Sequence, residues 1–600
     1  MAQPLRLTST ARLARPTFRP RETVLPFSGR IRVVQVGCIL LALLLAARFF
    51  QLQVMEHAVY QLLASDQHDM KASLEPSRGT IYVRDQWDQK LYPIAKDRPS
   101  WNLFAAPREM KDKSVVAEEV GLLLGQPKEE LLARFTAASS SAYLPLAKDI
   151  PFENVEKIRE KKIRGVWIAR GSARLYPETG MGGQLIGYTV VNDENIREGR
   201  YGIESYENVA LAGEPGMIEG ERDALGRRLA FGQATVKQPK NGADVVLTID
   251  RSIQQFLCTK MEEAVKRFEA ESATSIVLNP ETGAVLGMCS FPNFLPGDVG
   301  KIKDVGLLNN PATFTPYEPG SIFKAFTMAA GIESGKISPQ TVYVDKGVEE
   351  IDNFKIRNSD KLAHGTQSMI KVLEMSLNTG TIFVQRLVGR ENFRDYVKRF
   401  GFGEKTGIEL PSETKGTIAS LEKRGAIFAA TASFGQGITT TPLQLVAGYA
   451  ALANNGTLMK PYIVQEIIRD GVSTKTKPEP VREVVSSRTA RLVTGMLVNV
   501  VEKGHGKRAG VPGYYVAGKT GTAQVPNPRG GGYLPPDVTI GSFAGYAPAD
   551  HPKFAMIVKV EKPKTVQYAE SSAAPIFGEI AQFLMTYFQI EPERPLPKTP

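Results

Sequence analysis

A single apolar run near the N-terminus constrains this chain most. Residues 33–50 read VVQVGCILLALLLAARFF, and the fifteen residues between Arg32 and Arg48 carry no charge. At 1.5 Å per residue such a helix spans roughly 23 Å, slightly less than the hydrocarbon core of a bilayer. The flanking arginine side chains can extend to the lipid headgroups and complete the span. The pattern predicts a transmembrane anchor over residues 33–54.

The residues before this run favour an uncleaved anchor over a cleaved signal peptide or a buried core helix. Residues 1–32 hold seven arginines and one acid, Glu22. The net charge of this segment is more than half of the net charge of the chain, +11. A signal peptide has a short basic head and a small-residue cleavage site, and this sequence has neither. The arginine excess predicts a cytoplasmic tail over residues 1–32 in a single-pass protein of the cell (inner) membrane, with everything after residue 54 on the extracytoplasmic side.

The rest of the chain is only mildly basic over a long length, so its charge does not indicate a nucleic-acid surface. No metal site is expected either, because no C-x-x-C or H-E-x-x-H spacing occurs among the three cysteines and five histidines. Export of the chain permits a disulfide between Cys258 and Cys289. Two buried thiols are the favoured interpretation of this pair.

The chain after the anchor divides into two folded blocks and a tail. Residues 55–240 mix short strand and helix patterns, which predicts an extended α+β pedestal of the dimerisation type. In residues 241–590 strand patterns stand at both ends of a helix-rich segment, which predicts an antiparallel sheet sandwiched by helices. Residues 591–600 are proline-rich and are expected to be a loose tail. The predicted strands of the sheet and its last helix are Ala243 to Asp250, the hairpin Ser272 to Ser290, Tyr514 to Val525, Ile540 to Ala547, Lys553 to Val560 and the helix Ala574 to Phe588.

The motif YEPGSIFK, residues 317–324, carries the first sign of chemistry. Pro319-Gly320 breaks the chain, and a helix pattern then begins, so Ser321 and Lys324 lie on one helical face. A serine hydroxyl is a weak nucleophile without an adjacent base. A lysine becomes such a base only when burial or positive charge lowers its pKa. A helix N-terminus beside Ser321 would also stabilise an oxyanion.

The S-x-x-K pattern is unspecific, since it occurs four times in this chain. Two further motifs distinguish the pair at Ser321. Ser376-Leu377-Asn378 follows it, and Lys519-Thr520-Gly521 lies further on inside a strand pattern. This ordered set is the signature of serine β-lactamases and penicillin-binding proteins.

Two look-alike motifs have less support. Lys405-Thr406-Gly407 repeats the third motif but lies in a polar loop, whereas a catalytic copy has to lie on a sheet edge that can pair with an extended substrate. Residues 513–520 match the phosphate-loop pattern G-x-x-x-x-G-K-T. A phosphate loop is followed by a helix, and the proline- and glycine-rich sequence after Thr520 excludes one.

With these motifs in order, the chain resembles the class B penicillin-binding proteins from the anchor to about residue 590. The segments that carry this resemblance are RFFQLQV, RGTIYVRD, RLYP, YGIESYENVALAGEPG, VVLTID and FGQGITTTPLQL. The phrase EPGS and the anchor exit are most similar to the division-specific FtsI type.

The resemblance implies a serine D,D-transpeptidase with no cofactor. Ser321 would attack the penultimate D-Ala carbonyl of a peptidoglycan stem peptide ending in D-Ala-D-Ala, and Lys324 would take the serine proton. Ser376 would relay a proton to the leaving group, and Asn378 would hold a substrate amide and Lys324. The third motif would bind the substrate carboxylate through Lys519 and Thr520, with Gly521 beside them. The N–H groups of Ser321 and Thr522 would form the oxyanion hole.

The implied partners are peptidoglycan stem peptides, β-lactam antibiotics, the membrane and, for a division protein, an FtsW-type glycan polymerase with other division proteins. Nucleic acid is not among them. An elongation-type transpeptidase and a D,D-carboxypeptidase or penicillin sensor of the same fold remain alternatives. A non-catalytic wall-binding scaffold is a third class, which the complete set of motifs disfavours.

Overall fold

The computed structural model describes residues 28–56, 69–192, 196–221 and 235–595. The chain divides into two compact units. The first contains Met1–Leu74 and Met217–Gln238, and the second contains Glu75–Gly216 and Pro239–Pro600. Most of the predicted cytoplasmic tail and the last five residues of the predicted C-terminal tail lie outside the described residues.

Strands occur both in the pedestal and in residues 241–590, which we call the catalytic block. In chain order they are β1 (Asp69–Leu74), β2 (Ile81–Arg84), β3 (Leu91–Ala105), β4 (Leu144–Ala147), β5 (Val166–Leu175), β6 (Tyr188–Val191), β7 (Arg197–Arg200), β8 (Gly216–Glu221), β9 (Thr235–Lys237), β10 (Asp244–Asp250), β11 (Ser272–Leu278), β12 (Val285–Phe291), β13 (Val342–Asp345), β14 (Val348–Ile351), β15 (Phe354–Arg357), β16 (Gly365–Ser368), β17 (Thr457–Met459), β18 (Val464–Arg469), β19 (Val472–Lys475), β20 (Pro480–Glu483), β21 (Ala517–Gln524), β22 (Thr539–Ala547) and β23 (Phe554–Glu561).

The α-helices concentrate between the strands of the catalytic block. In chain order they are α1 (Ser28–Phe50), α2 (Lys113–Leu124), α3 (Lys128–Ala137), α4 (Phe152–Lys161), α5 (Gly183–Ile186), α6 (Gly202–Tyr206), α7 (Asn208–Ala212), α8 (Arg251–Phe268), α9 (Pro311–Phe314), α10 (Lys324–Glu333), α11 (Met369–Glu374), α12 (Asn378–Val388), α13 (Arg390–Arg399), α14 (Ala426–Ala432), α15 (Pro442–Ala453), α16 (Ser487–Lys503) and α17 (Ala573–Tyr587).

The first unit contains the predicted anchor and a small sheet. Helix α1 continues into a π-helical turn, Gln51–Met55, and the segment Val34–Met55 is long and apolar enough to cross a membrane, with a mean hydropathy of 2.0. Strands β1, β8 and β9 form a three-stranded sheet. The helix agrees with the span that the sequence predicts at residues 33–54.

In the second unit, a seven-stranded sheet joins the pedestal to the catalytic block. Its order is β19-β18-β10-β2-β3-β4, with β5 also paired to β3. Strand β10 pairs parallel with β2 and antiparallel with β18, which comes more than 200 residues later. The boundary predicted at residue 240 therefore falls beside a sheet that draws strands from both sides of it, and it stays a prediction.

A five-stranded antiparallel sheet forms the centre of the catalytic block, in the order β12-β11-β23-β22-β21. Strands β22 and β23 are buried on both faces because helices cover the sheet on each side. Helices α8 and α17 pack together through Phe256 and Phe583, whose stacked rings lie 4.0 Å apart. This is the predicted sandwich of helices around an antiparallel sheet. The predicted strand Ala243 to Asp250 is not part of it, because β10 pairs with β2 and β18 in the seven-stranded sheet.

Two further expectations need correction. Cys258 and Cys289 form a disulfide between α8 and β12 rather than two free thiols, because the packing of the helix on the strand brings their Cα atoms to 5.3 Å. The start of the predicted loose tail is bound to the catalytic block. Arg594 pairs with Glu502 at 2.9 Å, and the Glu593 carboxylate accepts a hydrogen bond from the Tyr515 N–H.

Candidate active site

The nucleophile candidate lies on a tight turn at the start of a buried helix. Gly320–Phe323 forms a single 3₁₀ turn that leads into α10. Gly320 has φ +58°, a left-handed conformation that glycine adopts at little cost, and this lets the chain turn sharply before Ser321. Tyr449, on α15, donates a hydrogen bond of 2.7 Å to the Ile322 carbonyl and holds the turn in place. Ser321 is half-buried, so its side chain is partly open to the cleft.

Lys324 is fully buried one helical turn after Ser321. Its Nζ donates hydrogen bonds to the Ser376 carbonyl oxygen at 2.5 Å and to the Ser376 hydroxyl at 3.3 Å. Burial lowers the pKa of Lys324 well below its ordinary value, and the positive charge of Lys519 lowers it further. Both effects favour the neutral amine, which can accept a proton.

The second motif lies between α11 and α12. Ser376 has φ +57°, which is uncommon for a residue with a side chain, and this conformation accompanies the contact of its carbonyl with Lys324. The Asn378 side-chain amide donates to the Arg357 carbonyl at 2.9 Å. Among the hydrogen bonds of the described residues, those of Lys324 Nζ go to Ser376 and not to Asn378, so the implied bond between Lys324 and Asn378 is not made here.

The third motif lies on β21, the edge strand of the five-stranded sheet. Lys519 is fully buried, and its Nζ contacts the Thr520 carbonyl at 2.9 Å and the Thr520 hydroxyl at 3.3 Å. Burial lowers the pKa of Lys519 to about 7, against the opposing effect of the Glu570 carboxylate. The Thr522 hydroxyl accepts a hydrogen bond from the Ala569 N–H at 3.0 Å.

Gly521 allows β21 to lie directly against the nucleophile turn. A Cβ atom at this position would be 2.9 Å from the Pro319 carbonyl oxygen and 2.9 Å from Ile322 Cγ2. Only glycine permits this approach without a shift of the strand or the turn. The predicted residues of the first and third motifs are thus brought together as one cleft wall.

Sequence reasoning missed a buried carboxylate three residues before the nucleophile. Glu318 accepts hydrogen bonds from the Tyr533 hydroxyl at 2.9 Å and from the Gly437 N–H at 3.0 Å. Burial raises its pKa, and the two hydrogen bonds oppose that effect. The Tyr533 contact binds the loop between β21 and β22 to the nucleophile turn, and the Gly437 contact binds the segment between α14 and α15 to it. The phrase EPGS contained a signal, since a charged residue beside a buried turn needs a partner.

The look-alike motifs lie elsewhere. Lys405 is exposed in a loop, as the sequence predicts. In this loop Thr406 donates a hydrogen bond to the Glu413 carboxylate. Residues 513–520 lead into β21 and are followed by more strand, so they do not form a phosphate loop. Across the described ranges of the chain, no three His, Cys, Asp or Glu side chains are grouped as a metal site.

Comparison with known proteins places these features in a family. Residues 73–247 match the penicillin-binding protein dimerisation domain, and residues 273–582 match the penicillin binding protein transpeptidase domain. Stage V sporulation protein D of Bacillus subtilis is 32% identical over 539 residues, which cover 89% of this chain and 81% of that protein. Peptidoglycan D,D-transpeptidase FtsI of Escherichia coli is 28% identical over 566 residues, or 93% of this chain and 92% of that protein.

Solved structures agree with the sequence comparison. Penicillin-binding protein 3 of Mycobacterium tuberculosis, complexed with aztreonam, superposes with a TM-score of 0.67 at 27% identity. The match covers 88% of this chain and 99% of that one. The chain therefore belongs to the class B penicillin-binding proteins, with a dimerisation domain followed by a transpeptidase domain.

Proposed function

We propose that this chain is a peptidoglycan D,D-transpeptidase that works through an acyl-enzyme on Ser321. The Ser321 hydroxyl attacks the carbonyl carbon of the penultimate D-Ala in a stem peptide, and its proton passes to Lys324 Nζ. The bond to the terminal D-Ala breaks, and that residue leaves as the free amino acid after it receives a proton. The amine of a second stem peptide then attacks the ester and forms the cross-link.

One observation carries this proposal: the amine of Lys324 is fully buried one helical turn from Ser321, where burial and the charge of Lys519 lower its pKa well below the ordinary value. A general base has to be unprotonated at the working pH, and an ordinary lysine is not. Lys324 can thus act as the base that activates the Ser321 hydroxyl as a nucleophile.

The third motif supplies the substrate clamp. Lys519 and Thr520 would bind the terminal carboxylate, since a charged donor and a hydroxyl suit an anion. β21 is a sheet edge, so an extended stem peptide can pair with it. The N–H groups of Ser321 and Thr522 would bind the oxyanion, and Ser376 would pass the proton from Lys324 to the leaving group. Asn378 would bind a substrate amide through Oδ1, because its amide nitrogen is already used by Arg357.

The same site would react with β-lactams, which present a carbonyl and an anionic group, a carboxylate or a sulfonate, in a similar arrangement. The solved relatives complexed with aztreonam and with ampicillin support this step. Fluorescent penicillin followed by peptide mapping tests it. We expect the adduct on the peptide EPGSIFK at Ser321, and an adduct on Ser368, Ser412 or Ser420 would refute the assignment.

We further propose that the arginine-rich N-terminus is cytoplasmic and the catalytic block extracytoplasmic. Protease added to spheroplasts should then digest the catalytic block, and its protection would reverse the topology. The similarity to FtsI supports a role at the division septum beside an FtsW-type polymerase and other division proteins. Filamentation on depletion is the expected result, whereas round cells would favour an elongation role.

The acceptor of the acyl group distinguishes the two functions: a transpeptidase transfers it to an amine, whereas a D,D-carboxypeptidase transfers it to water. We expect purified enzyme, given a donor stem peptide and an acceptor amine, to form cross-linked product. Release of D-Ala with no cross-linked product would indicate that water is the acceptor.

A further inference from the structure

We infer that Asn358, which belongs to none of the three catalytic motifs, is a positioning residue: it holds the second motif in place. Asn358 follows β15 in the segment between α10 and α11, 20 residues before Asn378. Its side chain is buried, with 2% exposed. This inference rests on the proposed roles of Ser376 and Asn378.

The first N–H groups of α12 depend on Asn358. A helix begins with N–H groups that have no partner within the helix, and a side chain next to the start usually accepts their hydrogen bonds. Leu377 stands at that place and cannot do so. Instead, Asn358 Oδ1 accepts from the Asn378 N–H at 3.0 Å and from the Thr379 N–H at 3.3 Å.

The orientation of the Asn358 amide is fixed by a buried carboxylate. Asn358 Nδ2 donates to Asp345 Oδ2 at 2.9 Å, and Asp345 is itself only 2% exposed. A carboxylate only accepts and a backbone N–H only donates, so the amide can face its partners in one way alone. Neither leucine nor aspartate, which have a similar size, could make both contacts.

Asp345 also holds the start of α12 directly. Asp345 Oδ1 accepts from the Thr379 hydroxyl at 2.8 Å, and the carboxylate receives the N–H groups of Gly347 and His364 as well. The buried negative charge of Asp345 is thus compensated by hydrogen-bond donors from the backbone around β13 to β16, from the Asn358 side chain and from α12. These bonds form one network, in which a change at Asn358 is felt at Asp345 and Thr379.

The preceding residue completes the arrangement. The Arg357 carbonyl accepts the Asn378 side-chain amide, so Arg357 and Asn358 together fix the backbone and the side chain of Asn378. Ser376, two residues earlier, contacts Lys324 through its carbonyl. A displacement of the start of α12 would therefore disturb the substrate amide site and the contact with the general base.

The test measures the second-order rate constant for acylation by a fluorescent penicillin, together with the melting temperature. We expect Asn358→Ala to lower the rate constant at least about tenfold, as a displaced catalytic group does. Asn279→Ala is the matched control, because Asn279 Oδ1 accepts two backbone N–H groups in the turn between β11 and β12. It should leave the rate constant within about twofold of wild type.

An exchange of the two side chains gives a rescue test. Asn358→Asp places two carboxylates together, and we expect at least a tenfold loss. Combining it with Asp345→Asn restores a donor between the two positions, and the double variant should react faster than Asn358→Asp, although the His364 N–H then loses its carboxylate acceptor. A double variant no faster than Asn358→Asp would overturn the inference, as would Asn358→Ala that reacts at the wild-type rate or does not fold at 25 °C.

Asn378→Ala separates this inference from the proposed site. If Asn378→Ala reacts as wild type does, the assignment of the second motif fails. If Asn378→Ala is slow while Asn358→Ala is not, the second motif stands and the positioning role of Asn358 alone fails.

Discussion

Lys324 Nζ lies 2.5 Å from the backbone carbonyl oxygen of Ser376 and 3.3 Å from its hydroxyl. The shorter contact therefore does not need the serine side chain. The left-handed backbone conformation of Ser376 brings this carbonyl oxygen to the amine of Lys324. This contact can hold the amine in position while Lys324 accepts a proton and releases it again. The two motifs are thus joined by the main chain as well as by the side chains.

Ser376→Ala should retain part of the activity. The carbonyl contact that holds Lys324 remains, and only the hydroxyl that relays the proton is lost. We expect the acylation rate constant to fall about tenfold, less than for removal of a general base, which contributes about 10²–10⁴-fold. Stopped-flow measurement with a fluorescent penicillin gives the value. A loss as large as that of Lys324→Met would contradict the importance of the backbone contact.

Spacing explains why part of the site could be predicted from the sequence. Ser321 and Lys324 are three residues apart on one helix, and Lys519 stands in a strand pattern, so local geometry fixes their directions. The partners of Glu318 lie more than 100 residues away, and Asn358 contacts Asp345 and Asn378 in other elements, 13 and 20 residues away. Periodicity does not contain such contacts. The same holds for the disulfide, because only the packing of α8 on β12 brings its cysteines together.

The pH dependence of acylation should report on Lys519. Its pKa is about 7 in the free enzyme, so its positive form is lost as the pH rises above 7. Carboxylate binding needs that charge, and the second-order rate constant should therefore fall on the alkaline side with an apparent pKa near 7. Arginine stays charged in proteins, so Lys519→Arg should move this alkaline limb upward. An unchanged limb in Lys519→Arg would show that another group titrates there.

Gly521→Ala should slow acylation at least about tenfold, since its Cβ would meet the Pro319 carbonyl and Ile322 at 2.9 Å and push β21 from the nucleophile turn. Gly495→Ala, in α16, is the matched control because nothing lies within 4 Å of its Cβ. That substitution should leave the rate constant unchanged and raise the free energy of unfolding by about 1 kcal/mol. Equal rate constants for the two variants would contradict the close-approach role of Gly521.

The central claim is that Lys324 acts as a neutral base. Lys324→Arg tests it most directly, because an arginine cannot lose its proton in a protein. The variant should bind penicillin in a folded site yet acylate more than about 100-fold more slowly than wild type, whereas Lys519→Arg should be affected less. The measurement is the acylation rate constant by stopped-flow fluorescence, with circular dichroism as the check on folding. A Lys324→Arg rate constant within about tenfold of wild type, or about 1.4 kcal/mol in barrier, would contradict the mechanism.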